Sequence, residues 1–187
     1  MARTVHKLLD EADAVAHFNG KRFDIPTLNK EFLLHGLSPP SPFRHIDLLH
    51  TCRQQFKFAS NKLDYVAQAL GLGAKVHHKG MELWRGCMEG DAASWRLMES
   101  YNRQDVRLTE RLYDRLMPWI KGHPNMGLYS EDGERCCPNC GSKKLQARGR
   151  QYNNTLVYRR YQCNGCGKWS RSRVADGSYG KPELVAA

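Results

Sequence analysis

The chain has 187 residues, a length that allows one medium-sized domain with a small appendage or two small domains. It contains no run of about 18 apolar residues and no apolar segment typical of a signal peptide, so the sequence excludes a membrane span and predicts a soluble, cytoplasmic protein. The formal net charge of +10 is concentrated near the C-terminus: residues 1–134 carry 18 Lys and Arg against 17 Asp and Glu, and residues 135–187 carry 11 against 2. This basic part predicts a polyanionic partner such as nucleic acid, the alternative being a solvated tail.

Hydrophobic spacing predicts alternating helices and strands in the first half of the chain. Pro26 suits the first turn of a helix that ends at His35 before Gly36, and the three prolines within residues 38–42 predict a loop. Ser60 is a candidate N-cap for a further helix closed by Gly71. The other predicted elements here are a helix over 4–12, a strand over 13–18, a strand over 43–47 and a helix over 48–56.

Residues 72–90 give no clear assignment, because glycines interrupt every pattern in them. After them, Asp91 predicts the start of a long helix that runs to about Met117 and ends before Pro118. One face of that helix is predicted to carry an apolar stripe that includes an acid, namely Leu97, Tyr101, Asp105, Leu108 and Leu112. A carboxylate on such a stripe is costly unless it has a partner, so Asp105 is a candidate functional residue.

Two Cys-x-x-Cys pairs, each followed by glycine, lie at Cys137, Cys140 and at Cys163, Cys166. This spacing is typical of a structural zinc ribbon in which four thiolates fill a tetrahedral site, and the alternative is a redox dithiol pair. Cys136 could replace Cys137 but breaks the two-residue spacing. Between the pairs we predict a hairpin that turns at Asn153–Asn154.

The predicted ribbon carries many cations and aromatic side chains, a combination that favours binding to single strands or frayed ends. One or two of the tyrosines are expected to form its small core instead. The candidate nucleic-acid-binding residues are Lys143, Lys144, Arg148, Arg150, Arg159, Arg160, Trp169, Arg171 and Arg173.

Two segments of the N-terminal half carry a family resemblance. Asn19-Gly20-Lys21-Arg22-Phe23-Asp24 follows a predicted strand, and Tyr101-Asn102-Arg103-Gln104-Asp105 places a tyrosine and an acid one helical turn apart. Together they resemble the second and third motifs of the DEDD superfamily of 3′-5′ exonucleases, in its tyrosine (DEDDy) variant, with a ribonuclease-H-like fold. The resemblance extends over about residues 4–119.

This resemblance implies phosphodiester hydrolysis with two divalent ions, Mg²⁺ or Mn²⁺, bound by carboxylates. Asp105 would be a direct metal ligand, Asp24 would hold metal-bound water, Tyr101 would orient the attacking water, and Asn19 would support the site. The implied substrate is nucleic acid, DNA being favoured over RNA. An alternative role for Asp24 is to cap the helix that follows it.

The family's first motif, Asp-x-Glu, is expected on a strand upstream of the first predicted helix, and no strand precedes that helix in this sequence. The interpretation is a truncated domain that starts after the first three strands of the fold. We therefore expect an open strand edge at residues 13–18, covered by a protein partner or by self-association. Asp47 and Asp64 are weaker local substitutes for the missing carboxylates. The rival interpretations are a non-catalytic nucleic-acid-binding protein and a subunit whose site a partner completes.

The sequence thus predicts an α/β protein made of a truncated ribonuclease-H-like exonuclease domain and a small four-cysteine zinc ribbon. The predicted boundaries are 1–120 for the exonuclease domain, 121–134 for a linker, 135–175 for the ribbon and 176–187 for a flexible tail.

Overall fold

The computed structural model describes residues 1–77, 80–130 and 133–180. The chain divides into two compact units at Leu116 and Met117. Residues 131–132 of the predicted linker and 181–187 of the predicted tail lie outside the described residues. Within the described part of the chain, no helix is both long and apolar enough to cross a membrane.

The first unit alternates helices with two short strands. In chain order its elements are α1 (Ala2–Asp10), β1 (Ala14–His17), α2 (Asp24–Leu34), β2 (Arg44–Asp47), α3 (Leu48–Gln55), α4 (Leu63–Ala69), α5 (Met81–Met88) and α6 (Ala92–Leu116). Strands β1 and β2 pair in parallel, with Ala14 opposite Arg44 and His17 opposite Asp47. In the described part of the chain β1 pairs with β2 alone, so its other edge has no strand partner. The mixed α/β class predicted from the sequence is confirmed.

The core of this unit lies between α3, α4 and α6. Leu48, Leu108 and Leu112 have no exposed surface, and Val66 of α4 is equally buried. Burying one such aliphatic side chain contributes roughly 1.5–3 kcal/mol, so the apolar stripe of α6 holds the long helix against the shorter ones. The predicted stripe is wrong at Leu97, which is 38% exposed.

Met98, rather than Leu97, is the buried residue at this level of α6. The reason is that α6 also packs against α5, which lies in the segment without a predicted assignment. Met98 is buried with Leu83 and Cys87 of α5, and Tyr101 packs against this cluster. The start of α6 agrees with the prediction: Oδ2 of Asp91 accepts a hydrogen bond from the Ser94 amide at 2.7 Å.

Ser60 does not cap α4. The N-cap residue is Lys62, and the Ser60 hydroxyl instead accepts a hydrogen bond from the Lys62 amide at 3.3 Å. The cap of α3 is clearer, because Oδ1 of Asp47 accepts hydrogen bonds from the amides of Leu49 and His50. Asp47 therefore ends β2 and starts α3 at the same point.

The second unit contains short 3₁₀ helices at Met117–Trp119 and Met126–Tyr129 and an antiparallel sheet. The sheet consists of β3 (Leu145–Tyr152), β4 (Val157–Cys163) and β5 (Trp169–Arg171), in the order β3-β4-β5. The predicted hairpin turn is confirmed: Oδ1 of Asn153 accepts hydrogen bonds from the amides of Thr155 and Leu156. Tyr158 and Tyr161 are each 9% exposed and form part of the small core, as expected for one or two of the tyrosines.

Candidate functional site

The candidate site of the first unit begins where the two parallel strands end. After β1 the backbone of Asn19 adopts a φ of 65°, a left-handed conformation that asparagine tolerates better than most residues. This conformation lets the Asn19 amide donate a hydrogen bond to Oδ1 of Asp47 at 3.0 Å. Asp47, at the end of β2, thus fixes the turn that carries Asn19 rather than supplying a carboxylate to the site.

Gly20 brings this turn close to Asp24. A Cβ atom at Gly20 would lie 2.8 Å from Cγ of His17 and 3.2 Å from Oδ2 of Asp24, so a side chain does not fit without movement. Asp24 is the first residue of α2 and is exposed, while the N-cap is Phe23 and has no side-chain capping hydrogen bond. The alternative role of Asp24 as a helix cap is therefore wrong.

Neutral His17 holds this turn by a hydrogen bond to its backbone. Its Nδ1 accepts a hydrogen bond from the Gly20 amide at 3.1 Å, and its Nε2 lies 3.1 Å from Nδ1 of His45. Because Nδ1 is an acceptor, the proton of the neutral ring is on Nε2 and points to His45. Burial lowers the pKa of His17 below its ordinary value, against the opposing effect of the Asp47 carboxylate.

Asp105 lies on α6 and is paired with Lys75. The ammonium group of Lys75 is 2.5 Å from Oδ2 of Asp105 and 3.2 Å from the hydroxyl of Tyr101. Burial lowers the pKa of Lys75, but its hydrogen bonds and charge interactions with Asp105 and Tyr101 outweigh burial, and the pKa is raised above its ordinary value. Lys75 therefore contacts both members of the predicted third motif in its charged form.

The backbone of Lys75 is held by Asp64, whose Oδ1 accepts the Lys75 amide at 2.8 Å. That hydrogen bond, followed by one from Gln68, lowers the pKa of Asp64. Sequence reasoning missed Lys75, because it lies in the unassigned segment and no local pattern marks it. A possible signal was Asp105 itself, since a half-buried carboxylate requires a partner.

One cleft of about 1150 Å³ is lined by most of the acidic and polar candidate residues. Asn19, Asp24 and Asp105 line it. Asp64 and Glu110 also line it, whereas Tyr101 does not line it but accepts a hydrogen bond from Lys75, which does. The structure thus brings Asp24 and Asp105, 81 positions apart in the chain, to one concave surface.

This cleft offers acceptor atoms without protein partners. Among the described residues, four buried side-chain nitrogen or oxygen atoms have no hydrogen-bond partner, and two of them, Oδ1 of Asp105 and Oδ1 of Asn61, belong to residues that line the cleft. Leaving such an atom unsatisfied costs roughly 1–3 kcal/mol, so a cation or a donor on a ligand would be favoured there. Within the described residues no three carboxylates form a group that could hold a metal ion. A hard ion such as Mg²⁺ is compatible with that arrangement, because it usually keeps several waters and takes one or two carboxylates.

The second unit contains a four-cysteine cluster. The Sγ atoms of Cys137, Cys140, Cys163 and Cys166 all lie within 4.8 Å of one another. Cys137 to Cys166 and Cys140 to Cys163 are each separated by 3.7 Å between sulfurs. A tetrahedron with Zn–S bonds of ~2.3 Å has edges of ~3.8 Å, so these thiols fit zinc and leave no position open for a substrate. Cys136 is not part of this group.

Backbone amides already favour negative charge in this cluster. Gly165 donates to Sγ of Cys163 at 3.3 Å, and Asn139 donates to Sγ of Cys137 at 3.4 Å. Burial raises the pKa of Cys140 to about 12. Burial also opposes ionisation of Cys163, but hydrogen bonds from the amides of Cys166 and Gly165 and from neighbouring thiols lower its pKa to about 7. The amide hydrogen bonds to Cys163 thus favour its thiolate, which is the form that binds a metal.

The structure separates the predicted nucleic-acid-binding residues into groups. The guanidinium groups of Arg148 and Arg160 lie over the ring of Trp169. Arg171 is paired with Arg160 across the neighbouring strands. Arg150 and Arg159 instead approach Asp176, and Lys143 pairs with Glu134 at 2.7 Å. Lys144 and Arg173 are exposed outside the sheet strands.

Comparison with known proteins agrees with the fold of the first unit. A family model described as RNase_H superfamily matches residues 1–117, a span that includes the whole cleft. No curated protein matches the chain. Because the matched residues make up more than half of the 187, the chain belongs to the RNase_H superfamily.

Proposed function

We propose that this protein is a metal-dependent nuclease that removes nucleotides from the 3′ end of a nucleic acid, DNA in preference to RNA, while its zinc ribbon binds the strand. The observation that carries the proposal is the presence of Asp24 and Asp105 on one cleft of a ribonuclease-H-like domain. The unpartnered Oδ1 of Asp105 adds support, because it is an acceptor that a cation would satisfy. Hard divalent ions prefer such carboxylate oxygens.

In this proposal Asp105 would bind Mg²⁺ or Mn²⁺ directly, and Asp24 would hold water bound to that ion. The ion would polarise the scissile phosphate and favour ionisation of the attacking water. Tyr101 is assigned to orient that water, and Asn19 to support the nucleic-acid strand beside Asp24. The resemblance assigns two further carboxylates to an Asp-x-Glu strand, and the open edge of β1 is suited to pair with such a strand from a neighbouring segment or a partner.

The ribbon's role is proposed from its charge and its metal site. Residues 135–175 contain 10 Lys and Arg and no Asp or Glu. Four thiolates favour Zn²⁺ over the hard ions proposed for the cleft. Because such a metal site leaves no open position, zinc would fold the ribbon and the cations would bind phosphates.

The test is 3′ trimming of a 5′-labelled oligonucleotide with Mg²⁺ or Mn²⁺. Asp105→Asn and Asp24→Asn are expected to lower the rate by about 100-fold or more, because metal-ion catalysis contributes several kcal/mol. Asp114→Asn is the matched control, since Asp114 is exposed on the same helix and does not line the cleft. Equal rates in all three variants would refute the assignment. If the wild type is inactive alone, the same series is repeated with an added peptide that carries an Asp-x-Glu strand.

A second function is favoured by one observation. The Lys75 ammonium already pairs with Asp105, as it would in a scaffold that binds nucleic acid without cleaving it. That alternative predicts no Mg²⁺ binding, or only millimolar binding, even with DNA present. Calorimetric titration of Mg²⁺ separates the two functions when the oligonucleotide carries a 3′-methylene phosphonate at its terminal linkage, since this group resists cleavage and keeps the phosphate oxygens that Mg²⁺ binds.

A further inference from the structure

The two faces of the ribbon sheet carry different chemistry. Residues directly opposite each other on antiparallel strands share a face, and Arg160 pairs with Arg171 while Gln162 pairs with Trp169. Nη1 of Arg148 donates a hydrogen bond to Oε1 of Gln162, which places its side chain on the same face. We call this surface the Trp169 face; its residues are Arg148, Tyr158, Arg160, Gln162, Trp169 and Arg171.

On the opposite face one carboxylate of the chain lies beside two arginines. Arg150 pairs with Arg159 across the strands, and Asp176 lies 3.3 Å from the first and 3.9 Å from the second. The ring of Tyr179 also stacks on the Arg150 guanidinium, at 4.8 Å. Within the described residues, no ion pair involves Arg148, Arg160 or Arg171. Arg150 and Arg159 therefore share one carboxylate, whereas the three arginines of the Trp169 face have no acidic partner among the described residues.

A β-bulge produces this division. The register between β3 and β4 shifts between Ala147 and Arg150, and Gly149 within it has a φ of 73°. Arg148 and Arg150 would share a face in a regular strand, but the extra residue directs them to opposite faces. Nε of Arg160 donates to the Arg148 carbonyl at 3.2 Å and so fixes the second cation beside the bulge.

Trp169 is the exposed aromatic of this face. It is 43% exposed, with the guanidinium of Arg160 at 4.6 Å and that of Arg148 at 5.7 Å from its ring centroid. On the same face Arg171 covers the buried ring of Tyr158 at 4.0 Å. An exposed cation–π contact is worth only ~0.5–1 kcal/mol, less than the ~1–3 kcal/mol of a base stacked on an aromatic ring. A base can therefore displace a guanidinium, which then remains next to the phosphate.

We propose that the Trp169 face binds unpaired nucleotides, with one base stacked on the Trp169 indole and Arg148, Arg160 and Arg171 at the flanking phosphates. This inference deepens the proposed function by naming single-stranded nucleic acid as the class of ligand. Duplex DNA satisfies the cations equally but offers no free base face, because its bases are stacked on each other. The expected preference is therefore for single strands over duplex of the same length.

The experiment measures binding of the full-length, zinc-loaded Asp105→Asn variant, which keeps the ligand intact whether or not the protein is a nuclease. Fluorescence anisotropy is recorded with a labelled oligo-dT strand, a duplex and an abasic strand of equal length. Trp169→Ala is expected to weaken oligo-dT binding by about 5- to 100-fold and to leave abasic binding unchanged, because one stacked base is lost. Trp169→Tyr is expected to restore most of the affinity.

The cations are tested on the same background. Arg160→Gln is expected to reduce the slope of log Kd against log salt by about 0.7, the value for one phosphate contact on a single strand. Arg159→Gln is the matched control, because it removes the same charge from the adjacent residue of β4 on the opposite face, where Asp176 lies 3.9 Å from Arg159. Its effect is expected to be smaller. Co²⁺ spectra of each variant verify that the four-thiolate site and hence the ribbon are folded.

Three results would overturn the inference: wild-type affinity of Trp169→Ala for oligo-dT, an equal loss on the abasic strand, or a larger effect of Arg159→Gln than of Arg160→Gln. If binding follows the expected pattern while the wild type trims no substrate, the nuclease proposal fails and the Trp169 face stands. If the wild type trims substrate and Trp169→Ala binds oligo-dT with wild-type affinity, the nuclease proposal stands and the inference about the Trp169 face fails.

Discussion

Replacing Lys75 by alanine probes the centre of the candidate site, because this side chain bonds Asp105 and Tyr101 together. The side chains of Lys75 and Asp105 are 28% and 23% exposed, so solvent screens the pair only in part. Two charges 4 Å apart interact by about 4 kcal/mol at an effective dielectric constant of about 20, but the net contribution of a hydrogen bond to a charged group is about 1.5–3 kcal/mol. We therefore expect Lys75→Ala to lower the free energy of unfolding by about 2 kcal/mol.

For a unit of this size that loss corresponds to a fall in Tm of about 8 °C. The assay is thermal unfolding in zinc-containing, Mg²⁺-free buffer, followed by amide signals of residues 1–116. Mg²⁺ is expected to stabilise Lys75→Ala more than the wild type, because it replaces the lost cation at Asp105. Lys62→Ala is the control, an exposed lysine at the same cleft. If Lys75→Ala lowers the free energy of unfolding by less than about 0.5 kcal/mol, which is the range of ordinary surface substitutions, the reasoning is refuted.

Three further predictions concern the turn, the histidine pair and the zinc site. Gly20→Ala is expected to cost about 1–3 kcal/mol, because its Cβ would lie 2.8 Å from the His17 ring; Gly177→Ala, where a Cβ meets nothing within 4 Å, is the control in chemical denaturation. The pKa of His17, measured by NMR titration, should lie below 6.5. Because folding lowers this pKa, the contribution of neutral His17 to the free energy of unfolding is present above pH 6.5 and is lost as the pH falls toward the folded-state pKa. A His17→Gln variant should lack this part of the pH dependence. Removal of zinc by a chelator should unfold the β3-β4-β5 sheet and leave residues 1–116 folded, because structural zinc supplies about 10 kcal/mol or more of folding free energy; retention of the β4 amide protection without metal would contradict this.

The features predicted correctly from the sequence are those fixed by local spacing. The Cys-x-x-Cys pairs require only a tight turn each, and α6 is long enough for its period to dominate its few polar interruptions. The sequence also marks Asp105 as unusual, because its carboxylate breaks an apolar stripe. What local spacing does not encode is the partner of that carboxylate. Lys75 reaches Asp105 from a segment without periodicity, 30 positions away, and only tertiary packing brings the two together.

The ribbon gives a second example of this limit. Arg148 and Arg150 are two positions apart, and strand alternation alone puts them on one face. The bulge at Gly149 separates them, so the cations that bind Asp176 cannot be distinguished in sequence from those that remain available. A glycine between two arginines inside a strand is a signal of such a bulge, but it does not say which face each arginine takes.

The central claim is that Asp24 and Asp105 bind the same divalent ion. Mn²⁺ titration followed by paramagnetic broadening of amide signals tests it directly, with the wild type, Asp24→Asn, Asp105→Asn and Asp114→Asn compared in one series. The account predicts that one Mn²⁺ broadens residues near both Asp24 and Asp105, and that either of the first two substitutions weakens this binding about tenfold or more while Asp114→Asn does not. Broadening confined to one of the two acids, and unchanged when the other is replaced, would contradict it.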